Sequence, residues 1–512
     1  MTHLLSRLAL PFAFFTACAA IGQTPSLDDD HAGPPSPAAE AARAYIEQIE
    51  ALDDAGPQLN AVIVYNPGAP ALAAEAEREG LPLAGGTVLV KDNIETYEFP
   101  TTAGSLALKA NRTARDAPLI ERLRAAGGVV LGKTNLSEWA NIRGRTSTSG
   151  WSAIGGLTRN PHATDRTTCG SSSGSGAAVA AGMVWAAIGT ETNGSITCPA
   201  SINGIVGFKP TVGLVSRTHV VPISATQDTA GPMAISVTDT AMLLTAMAGS
   251  DPADSATVDA DRYATDFSAG LEEYSLEGVR VGVLKNQSGS HRGVNALLDI
   301  ALDDLERAGA ILIPIKYDWP EGFWNRSLDV LLFELRRDMD AYLATLPGEG
   351  LPKTLSDVVA FNYANGETEL RFFGQDLLEA SLLATDEEAY REALETNLSA
   401  TREDGIDRLL AENEVSFLVA PTVDPAWSID LINGDHSGLG AGAGSLAAIA
   451  GYPHLTVPMG AVEGLPVGLS FMAGKWQDHR VLKAGAAYER ARSAMLPEPS
   501  YLPWSPLSRG NE

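Results

Sequence analysis

Cysteine is scarce in this chain of 512 residues: only Cys18, Cys169 and Cys198 occur. A scaffold built on disulfides is therefore excluded, and at most one internal bridge can form. Positive charge is scarce too, with 36 Lys and Arg against 63 Asp and Glu, a net charge of −27. Such a surface repels phosphate backbones and anionic lipid. It disfavours a nucleic-acid clamp or a basic membrane-surface protein and suits small neutral or apolar substrates. No stretch reaches the eighteen or so apolar residues that a membrane span needs. The eight histidines are scattered without HExxH or paired Cys/His spacing, so no metal site is indicated. No serine stands three residues before a lysine, so an SxxK nucleophile is absent as well. What remains is 45% hydrophobic and long enough for a sizeable core, or by length alone for about three domains.

Residues 1–22 carry Arg7, an apolar run from Leu8 to Phe15, then small residues around Ala17 to Ala20, the layout of a secretory signal. Phe15-Thr16-Ala17-Cys18 also resembles a lipoprotein box, in which Cys18 would carry a lipid, the one route to a membrane that the sequence offers. Residues 23–36 are polar and proline-rich, as a flexible linker would be. From Pro37 an amphipathic helix is expected, entered through Ser36-Pro37. Strand-like runs at 61–65, 87–91 and 129–133 alternate with a helical stretch at 118–126, which predicts an α/β fold with helices covering a sheet. Residues 170–214 are rich in Gly, Ser and Ala and nearly uncharged, so they read as buried. An acidic, irregular crossing at 251–275 precedes a strand–helix–strand unit up to Tyr317, and 325–412 reads as mostly helical. FLVAPT (417–422), LAAIAG, LTVPMG and PVGLSFMAG then return the chain to the sheet after a glycine-rich loop at 433–444.

Two motif matches fail on context. Gly127 to Thr134 satisfies GxxxxGK[ST], but a helix precedes it and Val129-Val130-Leu131 is itself a strand, where a phosphate loop needs a strand before and a helix after. Gly170 to Gly174 satisfies GxSxG, with His219, His291, His436 or His454 available downstream as bases. Yet the preceding TDRTTC is polar and poor in strand character, where a nucleophile elbow needs a strand running into it.

The remaining chemistry lies in Lys91 at the end of TVLVK, the serines 171–173, and Ser195 in GTETNGSI. Lysine serves as a base only when neutral, and an apolar strand supplies the desolvation that lowers its pKa. A shift of roughly 3 units, from near 10.4 towards 7, costs about 4 kcal/mol, within reach of burial. Taken alone, Lys91 reads rather as a strand-end lysine that reaches solvent or pairs with Asp92, and 170–195 reads also as a Ser/Gly loop leading into a buried helix, which is compatible with a site there.

VKDNI around Lys91, GSSSGSGAAVAAG from Gly170, GTETNGSITCPASINGIVGFKPTVGLVS from Gly189 and QDTAGPM from Gln227 together resemble the amidase signature family. The likeness continues through LAAIAGYPHLTVP and GLPVGLSFMA and so covers about 37–492. SGWSAIGGLTRNP, GTET and the cysteine of SITCP resemble its bacterial peptide amidase branch. The resemblance implies one α/β amidase domain over 37–495, with a large mixed sheet covered by helices on both faces and a C-terminal tail at 496–512.

It further implies a Ser–cis-Ser–Lys triad without cofactor or metal: Ser195 as nucleophile, Ser171 as bridge after a cis Gly170–Ser171 peptide, and Lys91 as terminal base. The backbone N–H groups of Thr192, Asn193, Gly194 and Ser195 would hold the oxyanion. Ser172, Ser173 and Thr197 are candidates for substrate contact. Many relatives have arginine at the position of Thr197, so a neutral acyl group is favoured over a free acid. Cys169 and Cys198 flank the two serines and are expected as small buried side chains, with a bridge between them open in an oxidising compartment. The implied function is hydrolysis of a peptide C-terminal or other acyl primary amide to acid and ammonia. The alternatives are the amidase subunit of a tRNA-dependent amidotransferase, which the charge and the export signal disfavour, and an inactive binding protein on the same fold. The partner is then a small-molecule or peptide amide, with no nucleic acid.

Overall fold

Strand β2 (Thr87–Lys91) shows how the sheet is built in this computed structural model: every one of its residues is buried, and the side chains divide between two faces. Val88 and Val90 join one apolar cluster while Leu89 joins another. The same division holds in the neighbouring strands β3 (Val129–Thr134) and β6 (Ala186–Glu191), where Val130 and Ile188 go one way and Leu131 and Ala187 the other. A period of two with both faces apolar is what a helix-covered central strand requires, and it explains why these segments read as continuous hydrophobic runs.

The other strands are β1 (Val62–Tyr65), β4 (Trp151–Ser152), β5 (Gly156–Leu157), β7 (Val206–Lys209), β8 (Thr229–Ala234), β9 (Arg280–Leu284), β10 (Ile311–Ile315), β11 (Phe417–Pro421), β12 (His454–Val462) and β13 (Leu465–Met472). Eleven form one sheet in the order β1-β3-β2-β6-β8-β7-β12-β13-β11-β9-β10, while β4 and β5 pair separately. The sheet is mixed: β3-β2-β6 and β11-β9-β10 run parallel, and the strands between them pair antiparallel. The expected α/β architecture, a large mixed sheet with helices on both faces, is the one observed.

The structure describes residues 36–436 and 438–507, which belong to one compact unit. The expected export segment 1–22 with Cys18, residues 23–35 of the linker and the last five residues of the tail lie outside the described residues. The helix expected after Ser36-Pro37 runs Pro37–Ile49, with the Ser36 hydroxyl accepting from the N–H of Ala39. Residues 496–507 are docked on the loop around 161–165, through Leu502 C=O to Thr164 N–H and Tyr501 N–H to Pro161 C=O. The 325–412 section is helical as expected. LAAIAG differs from expectation: it lies in a helix, Gly444–Ala450, closed by Gly451 in the left-handed conformation. Its alanines favour helix, and the glycine stop lets the chain turn directly into β12. No helix among the described residues is long and apolar enough to cross a membrane.

Candidate active site

Lys91 follows Leu89 by two positions and so points to the sheet face that the helix Ser173–Ala180 covers, where Ala177 and Val179 pack with Leu89. That helix is apolar and small on every side, so it sits close to the sheet and brings the residues before it over the strand ends. The Lys91 ammonium nitrogen is fully buried and donates to Ser171 Oγ (2.8 Å), Thr190 Oγ1 (2.8 Å) and the Thr190 carbonyl (3.2 Å). Burial drives its pKa down to about 7, against the opposing pull of Asp228 and Glu191. The solvated or Asp92-paired lysine is thereby ruled out: Asp92 instead pairs with buried Lys133 at 3.1 Å. Lys133, the lysine of the GxxxxGK[ST] match, is buried in contacts with the Ile94 carbonyl (2.7 Å) and Thr101 Oγ1 (3.0 Å), so its amine is spent inside the protein.

The Gly170–Ser171 peptide is cis. A Cβ on Gly170 would lie 2.2 Å from Ser137 Oγ and 3.2 Å from Ser149 Oγ, so only glycine fits there. The turn after β6 carries Ser195, and Gly194 within it has φ +85 with open space around it, so its backbone conformation, not packing, calls for glycine. The N–H groups of Asn193, Gly194 and Ser195 have no protein acceptor among the described residues. Glu191 steadies the turn from behind: its Oε2 accepts from the N–H groups of Ile196 (2.8 Å) and Thr197 (3.0 Å).

The two serine-bearing segments are tied together twice. Ser172 N–H donates to the Ser195 carbonyl (3.1 Å), and Cys169 and Cys198 form a disulfide. The serine hydroxyls of 171 and 195 do not hydrogen-bond each other, a looseness common in unliganded active sites. Ser195 borders a cleft of about 490 Å³, shared with Gly170, Asn193, Trp427, Asp435 and Ser445.

Lys91, Ser171, Ser195 and the turn 192–195 are thus brought together. Ser172, Ser173 and Thr197 are not among the residues that border the cleft. Their hydroxyls are spent on the protein: Ser172 on the Thr190 carbonyl (3.1 Å), Ser173 on the Cys169 carbonyl (2.7 Å) and Thr197 on Glu191 (3.3 Å). None of the histidines weighed as a base for the GxSxG match serves one. His454, for example, is buried against Ser470 Oγ (2.7 Å).

Sequence reasoning gave no role to Thr190, Glu191 or Asp228, though all three stand in the segments GTET and QDTAGPM. Asp228 is half-buried and accepts from Thr192 Oγ1 (2.6 Å) and the N–H groups of Ile223 (2.7 Å) and Ser224 (2.8 Å), while desolvation raises its pKa to about 6. Asp435 had no signal at all in the glycine-rich loop.

The amidase family model matches residues 40–482. A probable amidase of Arabidopsis thaliana is 37% identical over 462 residues, covering 86% of this chain and 85% of its own. The structure of native peptide amidase from Stenotrophomonas maltophilia is 45% identical, covers 90% of this chain and 95% of that one, and superposes with a TM-score of 0.85. A glutamyl-tRNA(Gln) amidotransferase subunit of Mycobacterium tuberculosis is 34% identical over 488 residues, with 90% and 95% covered.

Proposed function

Because the chain belongs to the amidase signature family, whose members act on amides, we propose that it hydrolyses the terminal carboxamide of a peptide or other acyl chain to the acid and ammonia. One observation carries this reading: a buried lysine whose pKa is lowered to about 7, in contact with the Ser171 hydroxyl, beside a cleft that holds Ser195. A neutral amine has two N–H bonds and one lone pair. The two oxygens of Thr190 take the N–H bonds, which leaves the lone pair for Ser171.

In this reading Ser195 Oγ attacks the amide carbon, its proton passes to Ser171 Oγ, and the Ser171 proton passes to Lys91 Nζ. The negative carbonyl oxygen rests on the N–H groups of the 192–195 turn, a reading supported by the lack of a protein acceptor for those of Asn193, Gly194 and Ser195 among the described residues. As the C–N bond breaks, the relay runs backwards and the nitrogen leaves as ammonia with the returned proton. Water then attacks the acyl-Ser195 ester, gives its proton to the same relay, and Ser195 Oγ recovers a proton as the acid departs.

Ammonia release by the purified chain from peptide C-terminal amides, fatty and aryl amides and free glutamine tests the proposal. Ser195→Ala is expected to lower turnover by at least ~10³. Activity retained in that variant would sink the triad. A marked preference for glutamine would favour the amidotransferase reading that the 34% identical relative raises. No release from any amide would favour an inactive binder.

We also infer export through the 1–22 segment, which the Cys169–Cys198 bridge supports because such bridges persist in oxidising compartments. The mass and N-terminal residue of the mature protein test it and read any lipid on Cys18. An intact Met1 overturns it.

A further inference from the structure

Among the residues that border the cleft, Asp435 alone carries an ionisable side chain; the others are apolar, neutral polar or disulfide-bonded. In a cleft otherwise without charge, one carboxylate dominates the potential that a substrate meets.

The protein holds this carboxylate in place with donors only. Ser149 N–H donates to both oxygens (3.2 and 3.1 Å), Ser149 Oγ donates to Oδ2 (2.5 Å), and Trp427 Nε1 donates to Oδ1 (3.1 Å). Burial raises the pKa of Asp435, and these donors oppose that rise by favouring the ionised form. No cation pairs with it among the described residues: the adjacent His436 faces Asp430 at 3.7 Å. Three donors do not fill the roughly four acceptor positions of a carboxylate, so capacity remains on the side that opens to the cleft. The carboxylate is also close to the reacting end, because Ser149, which anchors it, packs against Gly170 next to Ser171.

We propose that Asp435 is the charge-selecting residue of the cleft: it accepts an N–H from the acyl part of the substrate, either a peptide N–H or an ammonium, and turns away acyl parts that carry a carboxylate. This rests on the amide-hydrolysis reading above and adds the substrate class, namely amides of amino acids and peptides that are neutral or cationic near the scissile bond.

The test measures binding in the Ser195→Ala chain, where turnover plays no part, with three derivatives of phenylalaninamide: glycyl (ammonium), acetylglycyl (neutral) and succinylglycyl (carboxylate). Calorimetry is expected to show the first two binding at least ~10-fold tighter than the third. Adding Asp435→Asn is expected to bring all three within about twofold, since it keeps the shape and removes the charge. Should that variant not fold, raising salt from about 50 to about 500 mM in Ser195→Ala alone is expected to narrow the gap. A gap indifferent to both changes overturns the proposal. So does a parallel weakening of all three ligands in Asp435→Asn, which is what a role confined to holding Ser149 predicts, or no binding of any. Ammonia release from the same amides by the unsubstituted chain is scored separately: ordered binding without release supports Asp435 and counts against hydrolysis.

Discussion

Replacing Lys91 by Met should separate its chemistry from its cost to the fold. The fall of its pKa from 10.5 to about 7 corresponds to about 5 kcal/mol by which burial disfavours the charged form. At pH 7 about half the chains then hold a neutral Lys91, whereas a lysine left at 10.5 would be about 0.03% neutral. The unsubstituted enzyme should accordingly lose activity below an apparent pKa near 7, retaining about 1% of its plateau at pH 5. Lys91→Met, which has no lone pair to offer Ser171, should lose at least ~10³ in kcat/KM relative to the plateau of the unsubstituted enzyme.

The fold should respond in the opposite direction. Because the folded pKa lies below the unfolded one, the unfolded chain binds the extra proton between about 7 and 10.5. The penalty is therefore complete below pH 7 and fades as pH rises. It is about 5 kcal/mol at pH 6 and falls to between about 1 and about 2 kcal/mol at pH 9.5. Met leaves Ser171 and Thr190 without their amine partner, a loss that, counted from the neutral amine, is equal at the two pH values and cancels in the comparison. Measured by urea unfolding, the stability of Lys91→Met relative to the unsubstituted chain should be about 3 kcal/mol more favourable at pH 6 than at pH 9.5. Equal differences at the two pH values, or activity within tenfold of the unsubstituted chain, would refute the buried neutral base.

Two further substitutions probe the surroundings. Asp228 raises the pKa of Lys91, so Asp228→Asn should move the acid limb of the kcat/KM profile to lower pH; a limb that stays put or moves up removes Asp228 from the electrostatics of the base. Replacing Cys169 and Cys198 together by Ser opens a link between residues 29 apart, which chain entropy values at up to about 3.5 kcal/mol. Thermal unfolding should fall with it, and kcat should fall as well because Ser171 and Ser195 lose their covalent tie; unchanged kcat would make the bridge purely a matter of stability.

The sheet was legible wherever hydrophobicity itself carries the information. TVLVK and VVLGK announce strands buried on both faces, and the helix from Pro37 begins at its serine cap. LAAIAG was not legible in that way, because a short apolar run is compatible with either period and only its alanines and its glycine stop favour helix. Ser172, Ser173 and Thr197 looked available to substrate because hydroxyls near a nucleophile are chemically plausible contacts. The fold uses all three to satisfy buried backbone and carboxylate groups instead.

By itself, then, the sequence determined the scarcity of cysteine and of positive charge, the α/β pattern, and the residue types at 91, 171 and 195 in ordered segments of one family. These are properties of local pattern and spacing. The tertiary structure alone decided that Lys91 is dry, that Cys169 and Cys198 are bonded, that Asp228 lies near enough to bias the base, and that Asp435 enters the cleft from a loop 240 residues beyond Ser195. Burial, proximity and electrostatic coupling depend on distances in space, and an eleven-stranded mixed sheet brings together residues that the chain order keeps far apart.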